Sequence, residues 1–566
     1  LQDQGLPTFA NPFSEQDVHW ISCWIRFTHA ADTPDRHHPD PIYALDGLHP
    51  TRSCLSKRSP ISVSGDTDKI LKYLVCLILT SEAWPLMYID FLLNKKFLIF
   101  IITILSILFL ATLYHRFPHV DDAILGEQVY FLLNSGHVRS DLLAPIPNYD
   151  KHIFVYHKLF ILSGALITDI FGWSVYSLKS LSLIFLFIFL ITIGRTYTLK
   201  NDNLGLLLFL VLILANPNVI QYGFVYRPEI MLMTLGFLSY LSLERYFNSD
   251  NRFWLVTSAL FAGLCVLTHL NGLTVIMAGF ILLLALKNVS SSFLFAIISA
   301  SIAACYFLDT FYYGSLSGFL TEFKNNPALD ESDFNLLSPI YKLLDEHKRF
   351  FGGWKEVIFS LTIILTLAFT FKTLVKTHQK TVYFATALVI SLGLISNGNT
   401  SKYMLIYLPY LLMLTVAGLK IILLKQDFSK HYKGAIVILL SGYLFTGIYQ
   451  SVKHISSNQD VASANEKIMS MFNSDTGSKI IAPFDFIFDE IQEHTIFGAG
   501  YYSSSYERYN ERVLTSQRFF EEALSKDVKY IVMDRELFEK IKPPKEGHGY
   551  RLVKKTSGYW LYSRMI

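Results

Sequence analysis

Charge is scarce in this chain. Of its 566 residues only 17% are Asp, Glu, Lys or Arg, where a soluble globular protein carries about a quarter. The net charge of +3 is small and the basic residues stand in short clusters rather than a stripe, so nucleic-acid binding is excluded. Cysteine is scarce too. Cys23, Cys54, Cys76, Cys265 and Cys305 show no metal-ligand spacing, and the last two lie inside hydrophobic runs, so neither a zinc site nor a disulfide framework is indicated. Internal repeats and low-complexity tracts are absent. What is plentiful is apolar: 52% of residues are hydrophobic, 15% are aromatic, and the mean hydropathy is +0.35. That composition describes a polytopic membrane protein.

Residues 1–86 differ from the rest, holding eight of the nineteen prolines and three of the five cysteines. Their one hydrophobic patch, 70–80, is shorter than the roughly 20 residues a bilayer requires. Met87 is followed by Asn94-Lys95-Lys96 and then a full span, the usual opening of a protein whose N-terminus stays in the cytoplasm. The expectation is that Met87 is the natural start and 1–86 a non-native or disordered extension.

Span length predicts about eleven transmembrane helices, near 97–114, 176–195, 203–222, 228–246, 253–269, 271–287, 292–312, 355–375, 382–397, 402–424 and 433–451. The Lys and Arg excess supports this order, because Lys95, Lys200, Arg252, Lys287, Lys376, Lys380, Lys420 and Lys433 all fall in alternate loops. The transmembrane region is therefore 87–455, with a first outer loop at 115–175. Residues 456–566 change character. Helical stretches at 462–472 and 516–526 alternate with apolar runs at 479–484, 529–534 and 558–565, predicting a small α/β domain on the extracytoplasmic side.

The first outer loop carries two adjacent acids, Asp121 and Asp122, at the start of a short helix that Gly136 should end. Leu125, Val129, Leu132 and Leu133 recur at helical spacing, with Glu127, Gln128 and Asn134 on the other side, a pattern for a helix lying in the membrane interface. A second apolar stretch, 153–171, contains His157, Lys158 and Asp169 and reads as another surface helix. An acid at a helix start is also ordinary capping chemistry, stabilising by about 1 kcal/mol. At a membrane surface it has a further use. A sugar on a polyprenyl phosphate already has a good leaving group, so its transfer needs a base for the acceptor hydroxyl and a cation for the departing phosphate.

One N-terminal span, an outer acidic pair, an amphipathic segment ending in Gly, and a hydrophobic stretch ending in Phe171-Gly172 resemble the GT-C glycosyltransferases of the protein O-mannosyltransferase and lipid A aminoarabinose transferase type. Residues 225–246 (VYRPEIMLMTLGFLSYLSLERY) resemble that family's Arg-Pro-acid opening of a span. Residues 263–273 (GLCVLTHLNGL) and 401–414 (SKYMLIYLPYLLML) resemble two further spans, the latter with Lys and Tyr at its outer end. The resemblance covers about 87–451. It implies a membrane glycosyltransferase using a polyprenyl-phosphate donor, inverting, with Asp121 as general base. The second acid is usually Glu in the family and is Asp122 here. The family's Lys-Pro-Pro or His-Pro-Pro is replaced by DKHIFVYHKL at 150–159.

The site expected from these readings has Asp121 and Asp122 as catalytic acids, with Glu127, Lys158, Arg227, His269, Lys402 and Tyr403 toward substrate. Each has a plainer reading: Arg227-Pro228-Glu229 is ordinary helix-start chemistry, Lys402 beside Tyr403 can be an interfacial anchor, and His269 can be a polar helix terminus. The acids Asp330, Glu331 and Asp333 in the long outer loop read as a solvated face. No metal or cofactor is assigned, and a divalent cation at the acidic pair is the open alternative. Expected partners are a polyprenyl-phosphate sugar, a glycolipid, glycan or protein acceptor, and membrane lipids. A bacterial inner membrane is the expected location. Rival readings are a lipid or sugar transporter or flippase, and a non-catalytic membrane assembly protein.

Overall fold

The computed structural model describes residues 93–566 except 145, 325–336, 397–399, 426–427, 458–460, 472–475, 511, 557 and 566. The boundary expected near Met87, the patch at 70–80, and Asp330, Glu331 and Asp333 lie outside the described residues.

Every stretch expected to span the membrane forms a helix. In chain order these and the connecting helices are α1 (Lys95–Tyr114), α2 (Val120–Ser135), α3 (Lys158–Phe171), α4 (Val175–Leu199), α5 (Asn203–Leu214), α6 (Pro217–Tyr222), α7 (Glu229–Ser249), α8 (Arg252–Thr268), α9 (Leu273–Leu286), α10 (Val289–Ala304), α11 (Leu308–Tyr312) and α12 (Leu316–Lys324), followed by α13 (Ser338–Asp345), α14 (His347–Phe351), α15 (Trp354–Thr377), α16 (Gln379–Ile395), α17 (Leu408–Leu424) and α18 (Lys430–Ser456). Five are long and apolar enough to cross a bilayer: α1, α4, α10 with α11, α15 and α18. The others are shorter or broken for visible reasons. Pro217 cannot continue α5, and Asn216 restarts the chain by accepting the N–H groups of Asn218 and Val219, so α5 and α6 share one span.

The bundle core is apolar where helices meet and apolar again where they face lipid. On α3, Leu162, Leu166 and Ile170 recur every four residues and are exposed, while Phe160, Ile161 and Ala165 are buried. Gly164 lets Tyr226 in, since a Cβ there would meet the Tyr226 hydroxyl.

The C-terminal domain is a six-stranded sheet: β1 (Lys479–Ala482), β2 (Thr495–Gly498), β3 (Val528–Met533), β4 (Glu546–Gly547), β5 (Tyr550–Thr556) and β6 (Tyr559–Arg564), in the order β2-β1-β3-β6-β5-β4. β1 pairs in parallel with β2 and β3, and the remaining pairs are antiparallel. This domain rests on α2. Ala123 and Leu142 share an apolar core with Ile480, Ala482, Phe486 and Ile487, and Gly498 N–H donates to Leu142 O at 3.2 Å.

That docking corrects the expectation for α2. Gly136 does end it, in the left-handed conformation that glycine tolerates, but the helix is not a surface element with a wet polar face. Glu127 and Gln128 are as buried as Leu125 and Val129.

Candidate active site at one end of the spans

The chain leaves α1 at His115 and re-enters a helix at His119, whose Nδ1 accepts the Asp121 N–H at 3.1 Å while Asp122 Oδ2 accepts the His119 N–H at 2.6 Å. This reciprocal cap fixes two successive acids in one turn. Successive helical residues point about 100° apart, so the two carboxylates part company. Asp122 turns inward and is fully buried. Its Oδ1 accepts the Tyr226 N–H at 2.5 Å, and its Oδ2 lies 3.2 Å from Lys179 Nζ. Lys179 is equally buried, on α4, and also donates to Phe117 O at 2.8 Å. Asp121 stays 30% exposed. Asp122, expected to orient Asp121 or the acceptor, braces α2, α4 and the turn before α7.

Asp121 is paired with Arg227 Nη1. Behind it the guanidinium forks onto Glu229, Nε to Oε2 at 3.0 Å and Nη2 to Oε1 at 2.7 Å. Burial works against the charge on Arg227, but the Glu229 carboxylate outweighs it and holds the guanidinium above its ordinary range. An arginine held by two fixed carboxylates is pre-aimed, with little side-chain freedom left to lose on binding.

Lys402 approaches from the 3-10 turn Ser401–Ile406 ahead of α17. That turn is held by Arg349, which is fully buried, donates from Nη1 to Thr400 O at 2.8 Å and forks onto Glu346. Lys402 forms no hydrogen bond or ion pair among the described residues, and its ammonium sits 5.3 Å from the Tyr403 ring. Burial, then the repulsion of Arg227, lowers it to about 8. His269 completes this wall. It stacks on His157 at 4.6 Å and meets Tyr403 edge-on at 5.5 Å. Enclosure by protein pushes His157 down to about 4 and His269 well below the usual imidazole range, so both rings are neutral at neutral pH.

Asp121, Arg227, His269, Lys402 and Tyr403 thus gather at one end of the spans. Two expected substrate contacts do not join them. Glu127 is buried and accepts from Ser140 Oγ, from Asp141 N at 2.8 Å and from Leu142 N at 2.9 Å, so it latches the loop that carries the C-terminal domain. Lys158 pairs with Asp309 and donates to Phe154 O at 2.8 Å, in a knot where Glu322 also accepts the N–H groups of Phe154 and Val155. It fastens α3 to α11 and α12. Sequence reasoning missed Lys179, whose signal was a lone charge inside a span, and Glu346, which gave none. Among the described residues the one grouping with metal-ligand spacing is Glu490, Glu493 and His494, in the C-terminal domain.

No family description matches the chain, and no curated protein matches it in sequence. Among solved structures it is similar to ArnT from Cupriavidus metallidurans in the apo state, with TM-score 0.56 and 11% identity over 83% of this chain and 98% of that one. It is similar to the same protein bound to undecaprenyl phosphate, with TM-score 0.52, 12% identity and the same coverage. A more distant likeness is to the Archaeoglobus fulgidus oligosaccharyltransferase, with TM-score 0.44 and 11% identity over 83% of this chain and 74% of that one. The helical bundle, the buried helix α2 and the α/β domain docked on it are accordingly a GT-C-like fold, and the chain is a polytopic membrane protein of that architecture.

Proposed function

We propose that the chain is a membrane glycosyltransferase that moves a sugar from a polyprenyl-phosphate donor to an acceptor hydroxyl, with inversion, on the extracytoplasmic face. The observation that carries this reading is the partly exposed Asp121 carboxylate beside a fixed guanidinium and an ammonium that forms no hydrogen bond or ion pair among the described residues. ArnT, which shares the fold, has been crystallised with undecaprenyl phosphate. In the proposed step the donor phosphate enters between Lys402 and Arg227 and draws Arg227 Nη1 from Asp121, which frees the carboxylate to accept a proton. The acceptor oxygen bonds to the anomeric carbon as its proton passes to Asp121. The bond from that carbon to the phosphate oxygen breaks, and its electron pair leaves with the phosphate, whose charge Lys402 and Arg227 hold. Attack opposite the leaving group inverts the anomeric centre. Neutral His269 and the Tyr403 ring provide a polar but uncharged wall suited to sugar hydroxyls.

The Lys- and Asn-rich loops favour a bacterial inner membrane, with the N-terminus of α1 cytoplasmic and the C-terminal domain periplasmic. The test is turnover of radiolabelled polyprenyl-phosphate sugars by the purified chain in nanodiscs, with the anomeric configuration of the product read by NMR. Transfer with inversion is the expected result. Transfer with retention would replace the single-displacement mechanism, and no transfer with any donor would replace the transferase reading.

A further inference from the structure

A polar cavity of about 820 Å³ opens at the ends of the spans opposite Asp121, among α4, α7, α15, α16 and α17. This is the size of a small-molecule site, roughly 300–1,000 Å³. Lys200, Lys376, Lys380, Lys420 and Lys425 line it, from four separate segments, against two carboxylates, Asp202 and Glu244. The carboxylates are engaged: Lys420 pairs with Asp202 at 2.6 Å and Lys200 with Glu244 at 2.9 Å. Lys380 donates to Asn248 at 2.7 Å. Lys376 and Lys425 are exposed and form no hydrogen bond or ion pair among the described residues.

Membrane topology alone puts lysines at this end of the spans, each reaching separately for water. It does not require five of them to line one hollow, where they repel one another. The inner wall is closed to charge. Tyr197, Tyr240, Leu414 and Val416 are buried there, and the Tyr240 hydroxyl is already bonded to Thr381 Oγ1 at 2.7 Å. A ligand that fits must present its negative group at the lysine mouth and a less polar part to the wall. Lysines act as mobile point charges, which suits a phosphate that can be approached from several directions.

We propose that this cavity is a second binding site, distinct from the Asp121 site, for a phosphoryl-bearing anion: the headgroup of an anionic phospholipid or a soluble phosphate compound. The full chain is reconstituted in phosphatidylcholine nanodiscs, and its thermal unfolding is followed as either phosphatidylglycerol is added to the bilayer or sodium pyrophosphate to the buffer. One probe should give a saturable rise in unfolding temperature, and which probe does so identifies the source. In Lys376→Gln/Lys425→Gln the half-saturation point should move about thirtyfold higher, the loss expected for two surface lysines facing an anionic group. Lys425→Gln alone should move it about fivefold, which keeps the test open if the double variant fails to fold. Lys402→Gln should leave the response unchanged. No response to either probe, an equal response in the lysine variants, or loss of the response in Lys402→Gln would each overturn the proposal.

Discussion

Asp122 Oδ1 accepts the backbone N–H of Tyr226 at 2.5 Å. The acid beside the proposed base thereby holds the residue beside the proposed phosphate-binding arginine, and the spacing of Asp121 and Arg227 is set by a group that touches no substrate. Asp122 is buried, and Lys179 pairs with it from α4 at 3.2 Å.

Removing one partner of that pair strands the other. Asp122→Ala should cost about 3–5 kcal/mol of stability, seen as a large drop in unfolding temperature in detergent. Asp122→Ala/Lys179→Met should recover much of the stability but not the transfer rate, because Tyr226 N–H remains without an acceptor.

Arg227→Lys keeps the charge and loses the fork onto Glu229. Hydrogen bonds to charged groups contribute about 1.5–3 kcal/mol, so kcat/KM for the donor should fall by about ten- to a hundredfold. Steady-state kinetics with varied donor would show it, together with a lower unfolding temperature, because the buried Glu229 carboxylate loses its fork as well.

Lys402 is protonated below its lowered value of about 8 and loses its charge as pH rises through it. Donor kcat/KM should therefore fall on the alkaline side from about pH 8. In Lys402→Arg that limb should move beyond the measurable range, because a guanidinium stays charged. A pH profile of wild type and variant from pH 6 to 10 checks the sign.

Glu127 accepts from three donors in 140–142, the segment that meets β2. Glu127→Ala leaves those donors buried and unpaired, at about 1–3 kcal/mol each at most. The expected outcome is faster limited proteolysis between α18 and β1, measured against Glu127→Gln, which keeps an acceptor and should be cut more slowly.

The spans were legible because long apolar runs admit few alternatives, and the alternating lysines place their ends. Strands β1, β3 and β6 were legible as short apolar runs, whereas β5 was not: Arg551, Lys554 and Lys555 are exposed and mask the pattern. Glu127 and Gln128 were misplaced because periodicity equates polar with wet, whereas Glu127 is buried by bonding 140–142 and Ala123 on the same helix packs against a domain more than 300 residues further along. The gathering of Asp121, Arg227, His269, Lys402 and Tyr403 follows from topology, since each stands at the same end of the bundle. Their supports do not, because Lys179, Glu346 and Arg349 are charges whose partners are fixed only by packing.

The most direct measurement is single-turnover transfer by Asp121→Asn, with donor binding measured in parallel. The amide preserves size and removes basicity. Donor binding within a few-fold of wild type with transfer slowed by about a hundredfold or more is the result this account predicts. Transfer at the wild-type rate would contradict it and remove Asp121 from the mechanism.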